Sequence, residues 1–398
     1  MSGGVSTVAG MTDSANTLPT QVHAFGTANG YFDPEREDLY GAFPLNNPEI
    51  KDMADETLAG LYKHVYAVGT KNNGQMTATI FFLGRHLLNT HSRYTFERES
   101  GYSPADLQEF AEWATSTNSI FVFPDGSMHN AHGVDLLAKG TPANAVPIHP
   151  VAAQRAAQIR SKLAERGIEV TENLPPVFSE FELLLPAPHA IRERMLAAIS
   201  IGEIATGATL GMMKQEEGAG EAVVRDILSQ TKLERDSLTD MEREFIEELE
   251  KLPRTVDGEL EPIEVTIQQD EKLKTSAAQL SWASSAGEVL AWVLGYDDLA
   301  IMDPDDNPGE DFGEFLIDIT NKSPEELEIR DPSLLCSAWE QIMGIRWFVV
   351  DQSLKEDSAH KFSDQQQSTL YERHRAFSWL ASNHAFFDEP WHEADLST

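Results

Sequence analysis

The sequence has little cysteine, little positive charge and no long apolar run. Cys336 is the only cysteine in 398 residues, so no intramolecular disulfide can form and nothing calls for an oxidising compartment. Apolar runs such as Ile80–Leu83 and Trp347–Val350 fall far short of the roughly 18 residues that a membrane span needs. The opening stretch MSGGVSTVAGMTDSANTLPTQ lacks both a basic segment and an apolar centre, so it does not read as a signal peptide. Cytoplasm is the location these absences imply.

Lys and Arg number 30 against 65 Asp and Glu, a formal charge of −35. The excess is uneven: residues 1–150 hold 8 basic and 16 acidic residues, and the remainder holds 22 and 49. Binding to phosphate backbones or anionic lipid depends on Lys and Arg displacing counterions, so nucleic-acid and membrane-surface roles are disfavoured. Such a field serves solubility, and it suits a cationic protein partner. Apolar residues make up 41% of the chain, enough for genuine cores.

The chain divides into a leader, a small α/β domain, a linker and a helical domain, an α+β protein overall. Residues 1–20, rich in Gly, Ser and Thr, read as a disordered leader. In residues 21–140, Met53, Leu58, Leu61, Tyr62 and Val65 follow a helical rhythm. Gln75–Leu83, rich in Thr, Ile and Phe, reads as a strand, with Ser92–Glu97 as its partner. Ser103, Pro104 and Asp106 mark a helix start, Ile120–Phe123 is apolar and extended, and Pro124–Gly126 is a turn.

Residues 141–150 hold three prolines and read as a linker. From 151 to 398 the periodicity is helical, with about eight to nine helices and almost no strand alternation. Gly167 closes a helix over Gln154–Arg166, and Ala190–Thr206 forms another. Thr239 with Glu242 forms a capping box. Glu271–Leu294 reads as one helix ending at Gly295. Asp331 and Pro332 start a helix carrying Leu335, Trp339, Ile342, Ile345 and Val349, and Ser363 with Gln366 starts the last one.

Complete catalytic or metal constellations are absent. His129 and His132, with Asp125 or Asp135, sit near a turn, but polar turn residues account for them without a metal. His384, Asp388 and His392 follow at helical spacing, and Pro390 interrupts that helix. Asp303, Asp305, Asn307 and Glu314 match positions of a calcium loop, but Pro308 stands where the sharp turn needs Gly. Gly218-Ala-Gly220 is half of a dinucleotide fingerprint, with Val223 in place of the third Gly. Cys336 reads as a small buried hydrophobe. No metal and no cofactor is therefore expected.

From about 153 onward the chain resembles the family called domain of unknown function 4272. The matching pieces come in order: Gly167 and Ile168 with Leu174 and Pro175, then Arg194, Trp282, Trp292–Gly295, Arg330, Trp347 with Asp351, and finally Glu372–Leu380. Two departures stand out. The family usually carries Glu three residues after the first Trp, where this chain has Ser285, and its closing acidic segment appears here as Phe387, Asp388 and Asp395 to Thr398. The resemblance implies a helical fold and no particular chemistry.

The best site expected from the residues is an inter-helix pocket drawn from Arg330, Trp347, Asp351, Glu372, Arg373 and Arg375. Partly buried ion pairs that fix helix register account for the same residues. The function expected first is a non-catalytic binding or interaction module. The alternative is an enzyme using that pocket on a small molecule.

Overall fold

The computed structural model describes residues 18–45, 51–213, 216–355, 361–381, 391, 394 and 396, with the side chains of 51–56 left aside. His384, Asp388, Pro390 and His392, the closing acidic segment and most of the leader lie outside the described residues. The fold is α+β: an antiparallel sheet region comes first and a helical region follows. Two compact units form, one within Met1–Leu45 and Ala59–Pro147, the other within Asn46–Leu58 and Ile148–Thr398.

The first unit contains strands β1 (Gln21–Gly26) and β2 (Leu39–Pro44). In chain order come α1 (Lys51–His64), of which the residues up to Leu58 fall in the second unit, a π-helical turn over Val65–Gly69, α2 (Thr70–Asn73) and α3 (Ala78–Leu88). Then follow β3 (Ser92–Glu97), a 3-10 segment (Pro104–Phe110), α4 (Ala111–Thr117), β4 (Ser119–Val122) and β5 (Met128–His129). The sheet order is β2-β3-β1-β4-β5, antiparallel throughout. Alternate residues of β3 and β1 pack inward, so Val22, Ala24, Tyr94 and Phe96 meet Phe110 and Phe121 in one core.

Of the strand expected at Gln75–Leu83, residues 78–83 instead lie in helix α3. Thr77 caps it, its side chain accepting from the Ile80 amide at 3.3 Å. Ile80, Leu83 and Leu87 recur at helical spacing and are buried. A short apolar run rich in β-branched residues fits either structure, and here the continuation of the buried stripe to Leu87 selects the helix. Ser92–Glu97 therefore pairs with β1 and β2. The start expected at Ser103 is realised as a capping box, with Asp106 accepting from the Ser103 amide at 2.7 Å.

The second unit is helical: α5 (Pro150–Glu165), α6 (Pro188–Thr209), α7 (Ala219–Thr231), α8 (Asp240–Leu249), α9 (Ile263–Gln269), α10 (Glu271–Leu280), α11 (Ala283–Val293), α12 (Phe312–Asn321), α13 (Pro332–Ser353) and α14 (Asp364–Ala381). A two-residue hairpin of β6 (Thr255–Val256) and β7 (Glu259–Leu260) interrupts them. Its turn is Asp257-Gly258 with both φ values positive, a hairpin signal that helical periodicity does not reveal.

Helices α6 and α11 form the centre and are apolar nearly all round, as fully enclosed helices are. They approach closely because glycines face the contact. A Cβ at Gly287 would lie 2.5 Å from Ile199 Cγ1, and one at Gly202 would lie 2.7 Å from the Ser284 amide. The helix expected over Glu271–Leu294 breaks at Ser281–Trp282 into α10 and α11. Capping signals hold elsewhere: Thr239 with Glu242 starts α8, Asp331 starts α13, and Ser363 and Gln366 exchange hydrogen bonds at the start of α14.

Candidate functional site

Helix α14 places Asp364, Gln367, Ser368, Tyr371 and Glu372 on one face, because three- and four-residue steps return a helix to the same side. Across from them stand Gln279, near the end of α10, and Trp282, at the break before α11. Together these seven residues line a groove of about 420 Å³. A continuous helix would present one unbroken ridge here. The break at Ser281–Trp282 is where the indole enters the lining.

Glu372 is the buried member, 6% exposed. Burial pushes its carboxyl above the usual carboxylate range, and Arg375 offsets part of that shift. Arg375 Nε lies 3.0 Å from Glu372 Oε2, without its N–H directed at an acceptor. The carboxylate is thus held by charge more than by an aligned hydrogen bond. Behind it, Arg194 and Glu242 form a buried bidentate pair at 2.6 and 3.0 Å. The Arg346 and Arg375 guanidiniums each lie 5.1 Å from the centre of the Tyr371 ring. Tyr371 thus contacts two guanidiniums while still lining the groove.

The six residues expected to share a pocket fall in separate places. Glu372 lines the groove and Arg375 pairs with it. Arg373, the next helical position, turns the other way and is fully buried. It donates to the carbonyls of Ile301, Asp303 and Asp306 at 2.8, 2.7 and 2.9 Å, and its Nη2 lies 3.4 Å from Glu288. Arg330 closes the end of α11 by donating to the Trp292 and Tyr296 carbonyls at 2.8 and 3.1 Å, with its guanidinium stacked 4.5 Å over Trp292. Trp347 is half-buried against the helical core, and Asp351 pairs with Lys355 on the same helix. Register-fixing contacts account for these residues other than Glu372.

The remaining sequence motifs resolve into local structure. Asp303 and Asp306 belong to the loop that Arg373 grips through its carbonyls, so a guanidinium takes up those inward-facing oxygens. His129 Nδ1 lies 3.2 Å from the Gly133 carbonyl and His132 Nδ1 2.9 Å from Gln108 Oε1. Among the described residues no group of three or more His, Cys, Asp or Glu is placed to hold a metal ion. Gly220 is glycine because a Cβ there would lie 2.0 Å from the Leu249 carbonyl, a packing need rather than a phosphate cradle. Cys336 is buried, and burial pushes its thiol up to about 12. Ser285 is buried on α11, while the carboxylate of that helix stands one turn later, at Glu288.

Sequence reasoning missed Gln279, Asp364, Gln367, Ser368 and Tyr371 as site residues. A polar stripe on a helix ordinarily means a solvated face, and only the tertiary position of Trp282 turns this one into a wall.

No helix among the described residues is long and apolar enough to cross a membrane. No curated protein matches the chain, and no solved structure matches it. A family model described as a domain of unknown function, DUF4272, matches residues 155–394, which run from within α5 through α14 and hold every residue of the groove. On that match the chain belongs to the DUF4272 family.

Proposed function

We propose that the protein is a ligand-binding module whose groove between Trp282 and α14 takes a small cationic ligand or a cationic side chain of a partner. One observation carries this reading: a buried glutamate with a raised pKa forms part of an open groove that also offers an indole and a phenol ring. Aromatic faces attract cations through their quadrupole, most strongly where water is partly excluded. Glu372 and Asp364 supply two carboxylates, and Gln279, Gln367 and Ser368 supply orienting polar groups. The chain's formal charge of −35 favours the approach of cations.

Choline is a suitable probe because it carries a permanent charge and no competing titration. Tryptophan fluorescence or calorimetry should show saturable choline binding that weakens with added salt. Trp282→Ala and Glu372→Gln should each weaken it about tenfold, the scale of one cation–π contact or one partly desolvated ion pair. Equal binding of choline and a neutral polyol, insensitive to both substitutions, would defeat the proposal.

The raised carboxyl of Glu372 also supports a second reading, an enzyme in which it serves as proton donor. That reading requires turnover of a bound small molecule, lost in Glu372→Gln while binding persists.

A further inference from the structure

A second groove, of about 350 Å³, lies beside α6. Glu203, Thr206 and Gly207 present one face of α6 to it, at positions i, i+3 and i+4. Val223 and Ile227 of α7 and the chain at Met212–Met213 complete an apolar wall. The space exists because of small residues. A Cβ at Gly207 would meet nothing within 4 Å, whereas one at Gly202 would meet the α11 backbone. Gly202 is thus explained by helix packing. No packing contact accounts for Gly207, which leaves the groove open.

Glu203 is the single charged residue of this lining. It has no ion-pair partner among the described residues. Glu203 is exposed and lines the groove, and partial desolvation there pushes its carboxyl above the usual range. A carboxylate in this position, over thioether and aliphatic side chains, matches a ligand with the opposite pattern: a positive head and an apolar body. Methionine adapts its shape to such bodies.

We propose that this groove is a binding site for a small amphiphilic ammonium, with Glu203 as counter-ion and the wall of Met212, Met213, Val223 and Ile227 as the seat for the apolar part. The site is separate from the Trp282 groove and does not depend on its assignment.

The test uses the full chain labelled with methyl-¹³C methionine, with Met212 and Met213 assigned by conversion to Leu. Hexylammonium, hexanol and hexanoate are titrated in turn. Hexylammonium should shift both methyl signals saturably, hexanol should bind at least tenfold more weakly, and hexanoate should not bind. Glu203→Gln should reduce hexylammonium binding to the hexanol level. Gly207→Leu should fill the groove and abolish both, while its melting temperature stays at or above the parent value, since glycine inside a helix is unfavourable. Glu372→Gln should leave these methyl shifts unchanged, which separates this site from the other groove. Unmoved methyl signals with hexylammonium overturn the proposal. So does equal binding of hexylammonium and hexanol, or binding that survives Glu203→Gln undiminished.

Discussion

Replacing Arg373 by Met tests whether the helical unit is organised by buried charge as well as by apolar packing. The wild-type guanidinium is fully buried and donates to three loop carbonyls at 2.7 to 2.9 Å. Hydrogen bonds from a charged donor contribute about 1.5–3 kcal/mol each, so three imply a gross loss of roughly 5–9 kcal/mol. Removing the guanidinium also relieves its own desolvation, which reduces the net figure to about 3–5 kcal/mol. Glu288, 3.4 Å from Arg373, then remains buried without its counter-charge. Burial already raises its pKa above 4.5, and Arg373 offsets part of that rise. In Arg373→Met the folded-state value climbs further.

The native state then holds a proton that the unfolded chain has released, so stability falls as pH rises from the unfolded value toward the raised one. The deficit should accordingly be smaller at pH 5 than at pH 7.5, and Glu288→Gln in the same chain should recover about 1–3 kcal/mol of it. Urea unfolding followed by tryptophan emission reports on this unit, which carries six of the seven tryptophans. A loss below about 1 kcal/mol, or one identical at the two pH values, would refute the reasoning.

Gly287→Ala forces a methyl within 2.5 Å of Ile199 Cγ1 and should cost about 1–3 kcal/mol by overpacking the α6–α11 contact, read as a lower urea midpoint. Cys336, buried with its thiol held near 12, should resist a thiol-specific disulfide reagent at pH 8 in the native protein and react at once in urea. Arg36 beside Asp38 holds that carboxyl below the ordinary value of 3.8, so its contribution is full above that value and disappears as pH falls through the depressed one. Asp38→Asn should therefore destabilise by about 1 kcal/mol at pH 7 and by nothing measurable in strong acid, followed by thermal melts across pH.

Much of the helical unit was legible because capping chemistry is local. Thr239 with Glu242, Asp331 with Pro332, and Ser363 with Gln366 each declare a helix start within four residues, and the structure uses all three. What depends on distant partners was not legible. Residues 75–83 carry a β-rich composition, but tertiary burial of Ile80, Leu83 and Leu87 makes residues 78–83 helical. The Glu271–Leu294 periodicity runs through Ser281–Trp282 without a Gly or Pro to mark the break.

The candidate site was legible only in Glu372. Adjacent positions on a helix point about 100° apart, so Glu372 and Arg373 serve different surfaces although they are neighbours in sequence. The charged groups of Arg330 and Asp351 resemble site residues by type alone. The carbonyls that hold Arg330 are visible only in three dimensions, whereas Lys355, four positions after Asp351 on one helix, follows from spacing.

The most direct measurement is the titration of the Glu372 side-chain carboxyl by ¹³C NMR, with and without choline. In the free protein its midpoint should lie above 4.5, and bound choline should move it down by stabilising the ionised form. A midpoint that choline leaves where it was, with choline otherwise shown to bind, would contradict the placement of the cation in this groove.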